Sequence, residues 1–475
     1  MTMKFDAYSP QNVFDEYVSA DGDCRSLAEP VVQWLQQKSS QGLAQSSADA
    51  QAVLDDLGAT FTTVHGETQT LPFDPVPRLI SQAEWQTLSA GLKQRIAALN
   101  LFCADVYGDQ KICRDEVIPL EVIKSAKRYL PICRGLRPPQ DVWCHVSGID
   151  LVRDRQGQWC VLEDNVRDPS GIAYVLKNRQ AMQRVAPQLL ETMQPQPVDD
   201  YAHQLQIGLE SFQQAAQGTV AILTRGPEIS SYFEHQTLAE QMQIPLIEAK
   251  DLAIREGALH FHSDRGWQRL AGLYRRCDTE LLQDLDLGNG TADSLAAIIE
   301  LCQQGQLAFA NTLGAGIADD KVIYGYVPDI IRFYLDAEPL LPNVPTYLCW
   351  RDRDRQYVLD HLDELVVKSA SAEGGQDMLF GIHSTAEERA TFADKIRDQP
   401  RGYMAQPTLT LSQIPTIIDG QLAPRHTDLR PFIIHQGDDI YVYPGGLTRV
   451  ALEAGELVVN SSQGGGSKDT WILPE

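Results

Sequence analysis

Long hydrophobic runs and positive charge are both scarce in this 475-residue sequence. No stretch approaches about 18 consecutive apolar residues, which predicts that the chain has no transmembrane helix. The first residues lack the basic and apolar regions of a signal peptide. Lysine and arginine total 40 against 64 aspartates and glutamates, a formal net charge of −24. Because such a chain repels phosphate backbones and anionic lipids, we expect no nucleic-acid partner and no membrane partner.

Cysteine pairs with redox or metal spacing are also missing. The nine cysteines are odd in number and include no CxxC, and the ten histidines include no HExxH. This pattern favours reduced thiols, and hence a cytoplasmic location, over a disulfide framework. GxGxxG and GxxxxGK[ST] loops are absent, so the sequence predicts neither a dinucleotide fingerprint nor a Walker A loop.

What is present is an ordinary globular composition, 43% hydrophobic and 22% charged. The length suggests about three domains of roughly 150 residues each. Residues 1–75 are polar and patchy, and we interpret them as an extension wrapped on the main body. Pro72, Pro75 and Pro77 mark its boundary.

A strong helix is predicted directly after this boundary. Ser81 is a plausible N-cap, and Glu84 three residues later would complete a capping box. Apolar residues then recur every three or four positions over residues 88–106, and Gly108 stands where the helix would stop. This helix is expected to contribute to the core and to carry no chemistry.

The rest of the chain mixes helices and strands, which predicts an α/β fold. Residues 141–168 read as a β-hairpin with a turn near Arg155, and residues 219–249 read as one βαβ unit. From about residue 320 onward we expect strands alternating with Gly- and Pro-rich turns. On composition alone, the GGGS at 464–467 would be a flexible tail.

Three oxygen-bearing residues on the hairpin form a candidate metal site. Glu163 and Asn165 are two apart in a strand and therefore share a face. A two-residue turn at 155–156 would place Asp150 opposite Val161, on the same face and diagonal to Glu163. Two carboxylates and an amide oxygen suit Mg²⁺. The alternative is a solvated hairpin face, and a register slip of one residue would remove the site.

Two lysines form a candidate phosphate-binding site. Lys321 follows two aspartates, and Lys368 ends the strand ELVVK before a loop that contains Gly374 and Gly375. The free N–H groups of such a loop can close over phosphates while an ammonium neutralises charge. The alternative is an ordinary Gly-rich hairpin with a surface lysine.

Clustered arginines form candidate anion sites in this acidic chain, because an arginine fork binds carboxylates and phosphates bidentately. The clusters are Arg275-Arg276, then Arg425, His426, Asp428 and Arg430, and finally Arg449. The alternative for each cluster is a set of surface ion pairs with the abundant acids.

At these residues the sequence resembles the circularly permuted ATP-grasp family, type 2, whose members include glutathionylspermidine-synthase-like bacterial proteins. The segment GIDLVRDRQGQWCVLEDNVRDPSGIAYVLKNR is similar to the metal-binding part of the family. Further matches are FANTLGAGIADDKVIYGYVPDIIRFYL, PRHTDLRPF, PGGLTRVAL and NSSQGGGSKDTW. In this chain the acid-x-Asn motif precedes the two lysines, which is the motif order of the permuted family. The resemblance also implies that the GGGS at 464–467 is part of the family sequence and not a flexible tail.

The resemblance implies a circularly permuted ATP-grasp fold with a Rossmann-like subdomain. It divides the chain into an N-terminal extension at 1–75, a permuted segment with the metal hairpin at 76–200, a pre-ATP-grasp-like α/β subdomain at 201–317, and a nucleotide-binding segment at 318–475.

The resemblance also implies roles for residues. The ATP-binding residues would be Lys321, Lys368, Gly374, Gly375 and Gln406; the Mg²⁺ ligands would be Asp150, Glu163 and Asn165; and the catalytic arginines would be Arg276, Arg430 and Arg449.

Two departures from the family pattern stand out. Pro407 follows the hinge glutamine, where an acidic residue usually contacts ribose. The Arg-Arg motif continues as Cys277-Asp278-Thr279-Glu280 rather than with several acids. We expect Arg275 and Arg276 to bind an acceptor carboxylate; the alternative is a structural pair bridging Asp278 and Glu280.

The implied activity is that of an ATP- and Mg²⁺-dependent carboxylate–amine ligase. It would activate a carboxylate as an acyl phosphate for attack by an amine or thiol. Its partners would be small-molecule or peptide carboxylates and amines. Two alternatives remain open: a non-catalytic nucleotide-binding or scaffold protein on the same fold, and an ATP-dependent phosphotransferase.

Overall fold

The fold was determined as a computed structural model of the 475-residue chain. The structure describes residues 8–10, 13–62, 68–283, 285–288, 293–371, 377–457, 459 and 464–474. Within these ranges, no helix combines the length and the apolar character that a membrane crossing requires. Each of the nine cysteines, all of which fall in these ranges, is a free thiol, as predicted.

The helices are α1 Glu29–Gln36, α2 Ser40–Asp56, α3 Gln82–Tyr107, α4 Lys111–Arg114, α5 Leu120–Lys124, α6 Ile172–Val185, α7 Pro187–Met193, α8 Tyr201–Ala215, α9 Tyr232–Met242, α10 Ser294–Gln303, α11 Lys321–Tyr324, α12 Val327–Leu335, α13 Asp352–Asp360 and α14 Ala386–Asp398. The strands are β1 Thr60–Thr62, β2 Thr68–Thr70, β3 Arg78–Ser81, β4 Val146–Arg153, β5 Trp159–Asn165, β6 Thr219–Thr224, β7 Leu246–Glu248, β8 Leu252–Arg255, β9 Ala258–Ser263, β10 Gly266–Arg276, β11 Ala308–Ala310, β12 Tyr347–Leu348, β13 Leu365–Ser369, β14 Met378–Phe380, β15 Tyr403–Pro407, β16 Gln413–Ile418, β17 Gln421–Arg430, β18 Phe432–His435, β19 Ile440–Val442, β20 Leu447–Val450, β21 Gly466–Lys468 and β22 Thr470–Leu473.

The largest sheet is antiparallel and has eight strands in the order β19-β18-β4-β17-β20-β21, with β5 beside β4 and β16 beside β17. The hairpin β4–β5 comes early in the chain, yet β4 lies between two strands from the C-terminal part. This sheet therefore joins the predicted segments 76–200 and 318–475 in one structure. The boundaries of the four predicted segments stay predictions.

The GGGS near the C-terminus belongs to this sheet. Gly466 and Ser467 open β21, which is buried and pairs with β20. The expectation of a flexible tail, drawn from composition, is therefore wrong at these residues. These residues are ordered because they are buried against a neighbouring strand, and amino-acid composition carries no information about such pairing.

A second sheet carries the predicted βαβ unit. Strands β7, β6, β10 and β11 lie side by side and parallel, and α9 connects β6 to β7, which confirms the prediction. The first residues of the long strand β10 instead pair antiparallel with β9. After β6 the chain continues to β7 on one side of the β6–β10 pair, and after β10 it continues to β11 on the other side. The carboxyl ends of β6 and β10 therefore form a topological switch point. Ligands bind at such points in open parallel sheets.

A third, smaller sheet has the order β12-β15-β13-β14 and its own apolar core with α13 and α14. The expectation of strands and turns alone beyond residue 320 is therefore wrong, because four helices, α11 to α14, lie there. One missed signal is a capping box: Thr385 and Glu388 each accept from the other's backbone N–H at the start of α14.

Helix α3 matches its predicted bounds and packs in the main core. Ser81 accepts from the Glu84 N–H as expected, but the reciprocal half of the capping box does not form. The Glu84 carboxylate instead accepts from Trp159 Nε1 at 2.8 Å and from Arg153 at 2.9 Å. This N-terminal turn is thereby attached to the hairpin β4–β5.

The N-terminal part, described over residues 8–10, 13–62 and 68–75, contains α1, α2, β1 and β2 and is bound to the large sheet. Residues 14 and 16 exchange backbone hydrogen bonds with Gln413 on β16, each at 2.9 Å. A buried ion pair joins Asp74 to Lys468 on β21. These contacts agree with an extension packed on the main body.

Candidate active site

One cavity of about 620 Å³ lies where the three larger sheets meet. Nine residues predicted to act at a site line it: Asp150, Glu163, Asn165, Arg276, Lys321, Lys368, Gln406, Arg430 and Arg449. The other two predicted residues, Gly374 and Gly375, lie outside the described residues. The described lining has seven basic and six acidic side chains, so it is net positive within a chain of net charge −24. This local balance favours an anionic ligand.

The predicted register of the hairpin is wrong by one residue, and a β-bulge explains why. Leu151, not Asp150, pairs with Val161. The bulge leaves Leu162 unpaired, so the next pair is Asp150 with Glu163, directly opposite each other. Without the bulge Asp150 would face Leu162, and the two carboxylates would lie on opposite faces. The bulge therefore brings both acids to the cavity.

Alternation along β5 separates a structural acid from the two site residues. Asp164 faces away from the cavity and accepts two hydrogen bonds from Arg95 of α3, at 2.5 and 2.6 Å. Glu163 and Asn165 face the cavity, as the two-residue period requires. The Asn165 side-chain nitrogen is buried and has no hydrogen-bond partner in the described part of the chain. An amide that the protein leaves unsatisfied here is available to a ligand.

The two carboxylates are held by the cations of the same cavity. Lys321 donates to Glu163 Oε1 at 2.8 Å. Arg430 forks onto both oxygens of Asp150, at 2.6 and 2.8 Å, and Arg449 adds a third bond at 2.7 Å. Burial alone would raise the pKa of both acids, but these cations outweigh it and hold both pKa values below their usual range. Both acids are therefore ionised at neutral pH.

Lys321 is positioned by the start of α11. Asp320 caps this short helix by accepting from the backbone N–H groups of Val322 and Ile323. The Lys321 backbone N–H donates to the Ala370 carbonyl, just beyond β13, at 3.1 Å. These bonds place the ammonium between the small sheet and Glu163.

Lys368 lies on β13, a central strand of the small sheet, and is partly buried in the cavity wall. It donates to Gln406 Oε1 at 2.7 Å, and Gln406 in turn donates to Thr346. Burial lowers the pKa of Lys368 to about 8, although Glu163 partly offsets this. Pro407 follows Gln406 on β15 and also lines the cavity, without an N–H to offer.

Arg430 and Arg449 lie on the neighbouring strands β17 and β20 and share the acid Asp150. Arg449 bonds Asp428 through Nε at 2.9 and 3.1 Å, in addition to its bond to Asp150. Arg430 also donates to the Ser170 carbonyl at 3.2 Å. Its side chain keeps 15% of its surface exposed toward the cavity.

Arg276 lines the cavity from the end of β10, but its guanidinium is occupied by the protein. Its five N–H groups donate to Glu234 at 2.9 Å, His235 at 3.3 Å, Pro169 at 2.7 Å, Ser170 at 2.6 Å and Tyr274 at 3.3 Å. Burial, reinforced by the charge of Arg276, lowers the pKa of His235 to about 2, so this ring is neutral and can accept. Glu234 also accepts from the Gly171 and Ala173 N–H groups at the start of α6.

Arg275 does not line the cavity; it is buried and donates to the Cys277 carbonyl. Neither arginine bridges Asp278 and Glu280. The alternative hypothesis, a structural arginine pair bound to these two acids, is therefore wrong about the partners. The acid that Arg276 pairs with, Glu234, lies on α9, which the sequence does not connect to the Arg-Arg motif.

Several lining residues were not predicted. Arg225 follows β6 at the switch point, is half-exposed, and lies 3.6 Å from Asp278. Arg167 contacts Asp168 at 3.5 Å and also pairs with Asp278. The turn Thr224-Arg-Gly-Pro was visible in the sequence, and its place after the first strand of a βαβ unit is the signal that could have identified Arg225.

The donor set of the cavity restricts the metals that it can hold. Among the described residues, no group of three or more His, Cys, Asp and Glu side chains has a metal-binding arrangement. Two carboxylates and the amide oxygen of Asn165 remain, and these are hard oxygen donors. They fit Mg²⁺, provided that Lys321 leaves Glu163.

Comparisons with known proteins show the family to which the chain belongs. A family model described as circularly permuted ATP-grasp type 2 matches residues 77–451. An uncharacterised protein of Synechocystis sp. is 49% identical, with 99% of each chain covered. A Frankia alni protein named "Putative glutamate–cysteine ligase 2-3" is 37% identical over 98% of this chain but only 54% of its own length. The structure of a glutathione synthetase-like effector from Globodera pallida, in apo form, has a TM-score of 0.58 at 12% identity, covering 92% of this chain and 98% of that one.

Proposed function

Because this chain belongs to the circularly permuted ATP-grasp type 2 family, we propose that it is an ATP- and Mg²⁺-dependent carboxylate–amine ligase. In the proposed reaction a carboxylate is phosphorylated by ATP, and an amine or thiol then displaces the phosphate to form an amide or thioester. The comparisons confirm the α/β, circularly permuted ATP-grasp fold with its Rossmann-like subdomain. The family and the ligase-named relative support an ATP-dependent ligase in general terms.

The observation that carries the proposal is the convergence of three kinds of group on one cavity. Two lysines come from α11 and the small sheet, oxygen donors come from β4 and β5, and arginines come from β17 and β20. Phosphoryl transfer needs charge neutralisation and positioning more than a protein nucleophile. This set supplies both without a serine, cysteine or histidine.

ATP would bind between the small and large sheets. Lys321 and Lys368 would hold its phosphates, with Gln406 near the base and Gly374 and Gly375 in the loop above. In the structure Lys321 is bonded to Glu163 and Lys368 to Gln406. Phosphate oxygens would replace these protein acceptors: Lys368 would exchange a neutral amide oxygen for an anion, and the Glu163 carboxylate released by Lys321 could bind Mg²⁺.

Mg²⁺ would be held by Glu163 and Asn165 with Asp150 beside them, and it would offset the negative charge of the phosphates. The fit rests on the oxygen donors that Asp150, Glu163 and Asn165 bring to one cavity. Asp150 is bound by two arginines in the structure, so it would also keep Arg430 and Arg449 in place.

The acceptor carboxylate would lie against Arg430 and Arg449, which would orient it and stabilise its developing oxyanion. Arg276 has its five N–H groups engaged and would hold the loop of Pro169 and Ser170 in place instead. Toward the switch point, Arg225 offers a half-exposed guanidinium, and Asp278 keeps 38% of its side chain exposed. An amine substrate would enter at this end, attracted by Asp168 and Asp278.

A search for ligation products tests the proposal. Purified protein is incubated with ATP, Mg²⁺ and a metabolite extract, and new masses are sought by mass spectrometry. We expect a product equal in mass to an acid plus an amine minus water, together with ADP. A phosphorylated acceptor that persists without an amine would favour a phosphotransferase, and tight ATP binding without any turnover would favour a scaffold.

A further inference from the structure

The N-terminal segment of residues 13–18 reaches the edge of the candidate active site. Its backbone pairs with Gln413 on β16, next to β17, the strand that carries Asp428 and Arg430. The family model begins at residue 77, so this segment lies outside the part that it matches.

This segment buries two acidic residues, Asp15 and Glu16, and Glu16 forms an ion pair with an arginine. Its carboxylate accepts from Arg78 Nε at 2.9 Å and from Arg78 Nη2 at 2.5 Å, and Ser412 adds a bond at 2.7 Å. Burial would raise the pKa of Glu16, but Arg78, together with Arg153 at 3.6 Å, outweighs it and holds the pKa below its usual value. Glu16 and Arg78 thus form a fully buried, bidentate ion pair.

Arg78 connects this pair to the site. Its remaining nitrogen, Nη1, donates to the backbone carbonyl of Asp428 at 2.7 Å. The side chain of Asp428 holds Arg449, and Arg449 bonds Asp150 in the cavity. Four consecutive contacts therefore run from Glu16 to Asp150.

We propose that Glu16 is a positioning residue of the site: through Arg78 it fixes the Asp428 backbone and, with it, the arginines Arg449 and Arg430. The inference of an effect on catalysis rests on the proposed function, whereas the positioning itself does not. If Glu16 lost its charge, Arg78 would remain buried without its partner and would leave the Asp428 carbonyl. Small displacements of orienting groups cost large factors in rate.

The end of the N-terminal part, at Asp74, offers a matched control. Asp74 forms a second buried ion pair, with Lys468, and accepts from the Ile417 N–H at 2.7 Å. Lys468 also donates to the Pro415 carbonyl at 3.0 Å. This pair attaches the N-terminal part to β16 and β21. Within the described ranges its side chains make no hydrogen bond to Asp428, so the pair resembles Glu16–Arg78 in burial and chemistry but contacts different strands.

The experiment compares Glu16→Gln with Asp74→Asn in the full-length protein. Hydrogen–deuterium exchange followed by mass spectrometry reports the amides of β17 around residues 427–430. We expect exchange there to be about tenfold faster in Glu16→Gln and unchanged in Asp74→Asn. We also expect turnover to fall about tenfold in Glu16→Gln, with the KM for ATP within about twofold of wild type.

Unchanged exchange in β17, or equal changes in both variants, would overturn the proposal. So would faster exchange with wild-type turnover per folded molecule, since the role would then be structural only. If the wild-type protein shows no turnover, the proposed function fails, and the exchange data alone decide the positioning. Should Glu16→Gln not fold, Ser412→Ala, which removes one bond to Glu16, gives the same comparison on a smaller scale.

Discussion

Arg430 and Arg276 line the same cavity from different sheets, but their guanidinium groups are not equally available. Arg430 uses three of its five N–H groups, on Asp150 and Ser170, and its side chain is 15% exposed. Arg276 uses all five, and its side chain is 1% exposed. Both were predicted to bind the acceptor.

The difference shows that lying at a cavity wall does not make an arginine a ligand-binding group. A guanidinium has five N–H donors. A donor that already bonds a buried protein acceptor can bind a substrate only by leaving that acceptor unpaired, which is costly. We therefore expect Arg276 to act on stability and Arg430 to act on turnover. The predictions below test this division.

The largest effect is expected from Arg276→Met. The change leaves the Glu234 carboxylate buried without its cation, which typically costs about 3–5 kcal/mol. Urea-induced unfolding measures the loss in the free energy of unfolding. Arg397→Met is the control, because Arg397 forms an exposed ion pair with Asp394. That control is expected to cost about 0–1 kcal/mol. A stable Arg276→Met protein with a defective acceptor KM would reverse our assignment.

Next in size is the effect of Arg430→Lys on turnover. The variant keeps the positive charge but loses the fork, and we expect a drop in kcat of about 10²–10³ with an unchanged unfolding midpoint. Arg425→Lys is the matched control on the same strand, because Arg425 donates to the carbonyls of Leu452 and Pro424. Similar kinetics in the two variants would place the acceptor elsewhere.

A smaller effect is expected for Lys368→Met, on nucleotide affinity. A charge-assisted phosphate contact contributes about 1.5–3 kcal/mol, which corresponds to roughly tenfold or more in the Kd for ATP. Calorimetric titration compares it with Lys395→Met, because Lys395 is a half-exposed lysine of α14 that pairs with Asp377, just before β14 of the same small sheet. Equal affinities in both variants would mean that Lys368 behaves like a surface lysine.

The smallest effect is a linked protonation at Lys368. Its pKa of about 8 lies below that of a free lysine, because burial disfavours the ammonium. Phosphate would favour the ammonium, so ATP binding should take up a proton above pH 8 and little below pH 7, and the affinity should weaken as pH rises through about 8. Calorimetry at pH 9 in buffers of different ionisation enthalpy measures this uptake. Heats that do not depend on the buffer, or equal uptake in Lys368→Met, would refute it.

Local patterns predicted much of the fold because they depend on neighbours in sequence. The bounds of α3, the hairpin, the βαβ unit and the common face of Glu163 and Asn165 all follow from period, caps and turns. The bulge at Leu162 was not predictable, since an extra residue in a strand is set by the partner strand and leaves no local pattern.

Long-range partners account for the rest of what the sequence did not reveal. Glu234 and His235 lie on α9, about 40 positions before Arg276. No sequence pattern in α9 or in the Arg-Arg motif predicts that these residues are in contact. The contact of Arg78 with Asp428 spans most of the chain. Motif resemblance brought the two lysines, the acids and Gln406 together, but only the structure shows which of these groups the protein itself already occupies.

The most direct test of the whole account is ADP release by the wild-type protein and by Glu163→Gln, side by side, with ATP, Mg²⁺ and a metabolite extract. Glu163→Gln keeps the shape of the side chain and removes one charge from the proposed all-oxygen Mg²⁺ site. We predict extract-stimulated ADP release in the wild type and none above background in the variant, at an unchanged unfolding midpoint. Equal, Mg²⁺-dependent release by both proteins would contradict the assignment of this cavity as the active site.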